Sequence, residues 1–163
     1  MQILRTLMAA SLAAAAYGQA MSRPEVVEVR AVIDGHTLDV AGRGHVRLAG
    51  IHAPRPPRGV VDGEPFGREA RERLEGIVAH RFVRLEFPSN GSQLSAYVLL
   101  EDGTFVNATL VREGLARVTS RTKDIRGEQL NRAQEEATAA RRGLWRNQFA
   151  PAAGSRPLTL LGP

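Results

Sequence analysis

The sequence of 163 residues contains no cysteine, which excludes disulfide bridges and cysteine-bound zinc sites. Aromatic residues make up only 5% of the chain, whereas hydrophobic residues in total make up 43%. The composition therefore predicts a mostly aliphatic core that is large enough for one folded domain, rather than a disordered chain.

Lysine is almost absent as well, since Lys123 is the only one, and arginine supplies nearly all of the positive charge. The formal net charge is +5 and the isoelectric point is about 10.8. Such a balance suits a partner rich in phosphate groups, such as nucleic acid, or another anionic surface. An arginine-rich surface without any such partner explains the charge equally well, and both interpretations stay open.

The first 20 residues predict a signal peptide. Arg5 is their only charged residue, an alanine-rich apolar run follows from Leu7 to Tyr17, and Gly18 and Ala20 form a small-residue cleavage pattern. The run is too short for a stable membrane span. We therefore expect a secreted or periplasmic protein, with a folded domain over 21–148 and a flexible tail over 149–163. The alternative is an apolar helix that stays attached to the domain.

Short runs of alternating apolar residues, separated by glycine-containing turns, predict five β-strands in the domain. They are Glu25–Ile33, His36–Val40, His45–Ala49, Phe82–Phe87 and Leu94–Leu100. A helical pattern lies between the third and fourth of these runs, and two more follow the fifth. This order favours a mainly β, α+β fold: a five-stranded OB-type Greek-key barrel with about three helices.

The helix boundaries rest on individual residues. Pro65 is expected at the first helical position of the first helix, and Asn107 is expected to cap a short helix that ends at Gly114. The last helix is predicted from Asp124 to Arg141, with Ala140 on its buried face.

Five segments carry a resemblance to a known family. They are VIDGHTLDV (Val32–Val40), HVRLAGIHAP (His45–Pro54), PFGREA (Pro65–Ala70), LSAYVLLEDGTFVNATLVREGLARV (Leu94–Val118) and RRGLW (Arg141–Trp145). Their order and spacing resemble the staphylococcal nuclease-like, or thermonuclease-like, family. The resemblance implies the OB-type barrel with three helices, which agrees with the strand pattern.

The resemblance also implies a calcium-dependent phosphodiesterase site of three carboxylates and two arginines. This chain departs from that set at four of the five positions. His36 and His52 stand where the acidic metal ligands are expected, and Arg55 stands where the glutamate general base is expected. Gln93 replaces the second phosphate-binding arginine, so that only Arg47 is retained. Two tyrosines that would pack against the base correspond here to Ser120 and Thr122.

These replacements reverse the charge of the implied site. Three carboxylates and two arginines sum to −1, whereas Arg47 and Arg55 with two neutral histidines sum to +2. Calcium takes six to eight oxygen ligands, so no calcium is expected in such a site. The sequence therefore predicts a divergent family member with a degenerate active site and no bound cofactor.

The replacement residues leave several hypotheses open. His36 and His52 could bind zinc or copper, or they could have replaced the carboxylates without gaining a role. Arg47 and Arg55 could hold a phosphate, or Arg47 could pair with Asp34 or Asp39 inside the barrel.

Three functions follow from these hypotheses. The first is a non-catalytic module that binds anionic or nucleic-acid ligands or serves as a scaffold. The second is a phosphodiesterase with a rebuilt site, in which one of the histidines acts as general base. The third is a metal-binding protein. Tyr97 and Trp145 are predicted to lie in the core, and Asp34 to shape an Asp-Gly turn.

Overall fold

The structure is a computed structural model that describes residues 24–88, 92, 94–119 and 124–146. The predicted signal peptide, the whole predicted tail, and the predicted positions Gln93, Ser120 and Thr122 lie outside these residues. The strands are β1 (Glu25–Asp34), β2 (Thr37–Val40), β3 (Gly44–Leu48), β4 (Ile51–His52), β5 (Phe82–Glu86), β6 (Ser95–Leu99) and β7 (Arg117–Val118). The helices are α1 (Gly67–Val78), α2 (Val106–Arg112) and α3 (Ile125–Ala139), followed by a 3-10 turn at Gly143–Trp145.

Five of the strands close into a barrel in the order β1-β2-β3-β6-β5, with β5 pairing back onto β1. The β3–β6 pair is parallel and the other pairs are antiparallel. The predicted five-stranded OB-type barrel with three helices is therefore confirmed. The remaining two strands, β4 and β7, form a separate two-stranded sheet.

The barrel interior is aliphatic because alternate residues of each strand point inward. β1 buries Val27 and Val29 and then Val32, because an irregularity in its pairing with β2 between Val29 and Ala31 shifts the alternation by one residue. α1 packs against β1 and buries Ala70 and Leu74, among others, in the core. Among the described residues, no helix is long and apolar enough to cross a membrane.

The structure corrects the predicted start of α1. The helix begins at Gly67, two residues after Pro65, because Phe66 adopts a left-handed backbone conformation with φ of 68°. A left-handed residue cannot continue a right-handed helix, so Phe66 marks the boundary.

Two further predictions on the helices were wrong. Asn107 lies inside α2 rather than at its cap, and its buried side chain binds the backbone of other elements. Ala140 is exposed because α3 ends at Ala139. The predicted end of α2 and the predicted start of α3 are confirmed: Gly114 has φ of 74° just beyond α2, and Asp124 caps α3 by accepting a hydrogen bond from the Gly127 N–H. α3 ends two residues before the predicted Arg141, which itself has φ of 51°.

Candidate phosphate-binding site

The turn between β1 and β2 places His36 against the rest of the site. Gly35 comes so close to Ala53 and Ala70 that a Cβ at position 35 would lie 2.7 Å from the Cβ of each. Only glycine therefore lets this turn pack against the end of β4 and the first turns of α1. Asp34 shapes the same turn, as predicted, because its Oδ1 accepts a hydrogen bond from the His36 N–H at 2.9 Å.

His36 and Arg47 are in direct contact. The Nη2 atom of Arg47 lies 2.8 Å from Nε2 of His36. A guanidinium can only donate, so Nε2 of His36 accepts this hydrogen bond and carries no proton. The structure thus pairs Arg47 with His36, and not with Asp34 or Asp39 as one hypothesis required.

The remaining proton of the neutral His36 ring belongs on Nδ1, which lies 3.1 Å from Oδ1 of Asp34. This contact lacks hydrogen-bond geometry, so its contribution is electrostatic. His36 is only 5% exposed, and burial is the main reason why its pKa falls below the ordinary value of 6.5. Asp34 opposes that shift, whereas Arg47 and His52 lower the pKa further.

His52 completes the cluster that we call the His–Arg pocket: His36, Arg47 and His52. The two imidazole rings meet edge to face with centroids 4.9 Å apart. His52 and Arg47 are exposed, whereas His36 is buried behind them. The structure thus brings together three of the residues that the sequence singled out, with a cationic group at the surface.

Arg55 is the fourth predicted residue, and its backbone is fixed by the loop that follows β4. Its N–H donates to Oε2 of Glu64 at 2.8 Å, and its carbonyl accepts from the Glu64 N–H at 2.9 Å. The Arg55 side chain is exposed. Among the described residues it forms no hydrogen bond or ion pair with the His–Arg pocket.

The donors of the His–Arg pocket do not fit calcium. They are imidazole nitrogens and a guanidinium, and the nearest carboxylate oxygen, Oδ1 of Asp34, already accepts from the His36 backbone. Calcium requires several oxygen ligands. For zinc or copper, Nε2 of His36 is occupied by Arg47, and the part of the chain that the structure describes holds no group of three His, Cys, Asp or Glu side chains suited to a metal.

Sequence reasoning missed one arginine beside the pocket. Arg117 in β7 pairs across the two-stranded sheet with His52 in β4, and its guanidinium lies 5.7 Å from the centre of the Trp145 ring. Trp145 is therefore half-buried under an arginine rather than fully in the core, whereas Tyr97 is buried as predicted. Two-residue strands carry too short a pattern to reveal this pairing from sequence.

Comparison with known proteins gives the same family. The family model described as staphylococcal nuclease homologue matches residues 45–147, which are 103 of the 163 residues and begin at β3. A thermonuclease of Staphylococcus hyicus is 28% identical over 138 residues, which cover 80% of this chain and 81% of that protein.

Two further relatives have different lengths. The SPbeta prophage-derived endonuclease YokF of Bacillus subtilis is 31% identical over 125 residues, or 69% of this chain and 41% of that protein. Staphylococcal nuclease domain-containing protein 1 of Drosophila melanogaster is 34% identical over 110 residues, or 61% of this chain and only 12% of that protein. Because the family model covers well over half of the sequence and the barrel has the expected topology, this chain belongs to the staphylococcal nuclease homologue family.

Proposed function

We propose that this domain binds phosphate groups of nucleic acid through Arg47 and lacks the calcium-dependent hydrolysis that the family resemblance implies. The observation that carries the proposal is the 2.8 Å contact between Arg47 and His36. His36 stands where an acidic metal ligand is expected, and it is a neutral imidazole whose pKa is lowered by burial. The charge of Arg47 is therefore not neutralised by its nearest partner and is available to an anion.

Electrostatics argue against calcium at this position. Two like unit charges 4 Å apart repel by about 4 kcal/mol at an effective dielectric constant near 20, so an exposed guanidinium disfavours a nearby dication. A carboxylate in place of each histidine would reverse the sign of that interaction. The same field that opposes calcium attracts phosphate oxygens, which supports binding without metal-dependent chemistry.

The names of the relatives favour nucleic acid as the ligand that carries the phosphate groups, because two of the three relatives described above are named a thermonuclease and an endonuclease. The formal charge of +5 supports an anionic polymer as the partner. The apolar pattern of residues 1–20 supports export, and we propose that the domain acts outside the cytoplasm.

A rebuilt phosphodiesterase is the second candidate, and the position of His52 favours it. His52 is exposed next to Arg47, whereas both ring nitrogens of His36 face other groups. His52 could therefore take a proton from water while Arg47 holds the phosphate. Transition-metal binding through His36 and His52 stays a prediction. It requires Arg47 to leave Nε2 of His36, and a shift in melting temperature on adding zinc or copper would support it.

One experiment separates the first two candidates. The purified chain is mixed with fluorescein-labelled single-stranded DNA or RNA, with calcium, magnesium, manganese and zinc added in turn, and binding and cleavage are followed together. We expect salt-dependent binding without cleavage. Arg47→Ala should weaken binding several-fold and reduce the slope of log affinity against log salt by about 1.

Arg132→Ala is the matched control, because Arg132 is exposed on α3 and the variant loses the same charge. It should change affinity less than Arg47→Ala does. Cleavage that disappears in Arg47→Ala would overturn the proposed loss of catalysis in favour of the rebuilt enzyme. An affinity that does not respond to salt would remove nucleic acid as the partner.

A further inference from the structure

The two-stranded sheet of β4 and β7 extends the His–Arg pocket along the surface. His52 and Arg117 are direct cross-strand partners, and the side chains of such partners project from the same face with Cβ atoms about 5 Å apart. His52 in turn contacts His36, which contacts Arg47. The two histidine side chains therefore lie between two arginine positions, Arg47 and Arg117, both of which are exposed.

The Arg117 side chain lies over the ring of Trp145. The guanidinium lies 5.7 Å from the centre of the indole ring, within the range of a cation–π interaction. The backbone that carries the indole is held by the surrounding chain, since the Trp145 backbone N–H donates to the Arg142 carbonyl and the neighbouring Leu144 N–H donates to the Gly114 carbonyl. Among the described residues the buried indole Nε1 has no hydrogen-bond partner, so packing alone positions the ring. An arginine held on a fixed ring loses less side-chain entropy when it binds an anion.

No carboxylate of the described residues forms an ion pair with either Arg47 or Arg117. Arg73, Arg112 and Arg126 form ion pairs with Glu113, Glu136 and Glu86. Within the ranges that the structure describes, neither Arg47 nor Arg117 has such a partner. The described residues thus place two arginines without ion-pair partners, Arg47 and Arg117, on either side of the two histidines.

We propose that Arg117, supported by Trp145, is a second phosphate-binding residue, so that the site takes two linked phosphates of a nucleic-acid strand rather than a single phosphate group. The inference rests on the proposed phosphate site at Arg47. It adds the size of the ligand, because a mononucleotide offers a single phosphate to Arg47, whereas a strand offers a further phosphate to Arg117. It also gives Trp145 a position at the edge of the bound strand.

Trp145 provides the test, because it is the only tryptophan in the chain. A phosphate that binds the guanidinium above its ring should change the tryptophan emission. The full chain is titrated with a short single-stranded oligothymidylate and, separately, with thymidine 5′-monophosphate. We expect the oligonucleotide to change the emission and the monophosphate to bind without changing it.

Variants of Arg47 and Arg117 distinguish the roles of the two arginines. Arg117→Gln, which keeps most of the side-chain length, should weaken oligonucleotide binding several-fold, lower the salt slope by about 1 and abolish the emission change. It should leave the affinity for the monophosphate unaltered, whereas Arg47→Ala should weaken the binding of both ligands. Arg117→Lys should restore part of the oligonucleotide affinity, and Arg132→Ala serves as the charge-matched control.

The failure of this inference differs from the failure of the proposed function. If Arg47→Ala weakens oligonucleotide binding and Arg117→Gln does not, the second phosphate position is wrong while the site at Arg47 stands. If the unaltered chain binds neither ligand, both proposals are wrong. Since Arg117 is exposed, its variants should melt within a few degrees of the unaltered chain; a large loss of stability would assign Arg117 a structural role and overturn the inference.

Discussion

Replacing Asn107 by alanine should strongly destabilise the barrel. The Asn107 side chain is fully buried in α2, and it joins two strands that pair in parallel. Its Oδ1 accepts from the Val98 N–H in β6 at 3.0 Å, and its Nδ2 donates to the carbonyl of Ala49 just beyond β3 at 2.9 Å. Ala49 lies two residues after Arg47, so this side chain also supports the strand that carries the proposed phosphate site.

The magnitude follows from the two groups that lose their partner. Alanine would leave one backbone donor and one backbone acceptor buried without a hydrogen bond, at about 1–3 kcal/mol each. The sum of about 2–6 kcal/mol is a large part of the roughly 5–15 kcal/mol that stabilises a domain of this kind. At about 2–4 °C per kcal/mol for this size, the melting temperature should fall by roughly 4–24 °C.

Thermal denaturation followed by circular dichroism measures the effect, with Asn131→Ala as control. Asn131 is half-buried on α3, and alanine is a better helix former there, so this control should change stability little.

Asn107→Asp sharpens the test. Aspartate keeps the acceptor for Val98 but sets a second oxygen against the Ala49 carbonyl, so the carboxyl should be protonated more readily than usual. Relative to the unaltered chain, this variant should recover stability as the pH falls from 7 toward 4. A drop of only a degree or two in Asn107→Ala would refute the bridging role.

Two further predictions concern the site and the loop beside it. Because burial lowers the pKa of His36 in the folded chain, the unfolded chain binds more protons than the folded chain below pH 6.5. The free energy of unfolding should therefore fall as the pH drops from 6.5 toward the pKa of folded His36. His36→Gln should remove this part of the pH dependence, whereas the control His45→Gln, at an exposed residue, should not. A methyl group at Gly67 would collide with the carbonyl of Arg55, so Gly67→Ala should lower the free energy of unfolding, measured by urea denaturation, by about 1–3 kcal/mol. The control Gly76→Ala adds a methyl group in open space on the same helix and should raise that free energy by up to about 1 kcal/mol. Equal effects of the two variants would contradict the close contact at Gly67.

The barrel could be predicted from sequence because its strands are long enough to show alternation and its turns contain glycine. The β1–β3 region illustrates this, since each predicted strand matches an observed one to within a residue or so. Boundaries that depend on a single backbone angle could not be predicted. Phe66 adopts a left-handed conformation that phenylalanine rarely takes, so sequence pattern placed the helix start too early.

Contacts between residues far apart in the sequence also could not be predicted from the sequence. Asparagine is a residue type typical of helix caps, but the Asn107 side chain donates a hydrogen bond to the carbonyl of Ala49, which is 58 residues away in the sequence. Arg117 was missed because β4 and β7 are two residues each and their pairing is defined only by the folded chain. His36, Arg47 and His52 could be named from sequence, whereas the hydrogen bond that makes His36 an acceptor is visible only in the folded chain.

The replacements in the His–Arg pocket form one consistent electrostatic arrangement. A guanidinium can remain 2.8 Å from an imidazole nitrogen only while that nitrogen is unprotonated, and burial of His36 favours that state. Asp34 beside Nδ1 favours the matching tautomer, which gives this aspartate a role that needs no metal. A carboxylate at position 36 alone would pair with Arg47 and neutralise the charge on which the proposed phosphate binding depends. Under the proposed function the His–Arg pocket binds an anion as a unit, and we expect a change of one residue to weaken phosphate binding without providing the oxygen ligands of a calcium site.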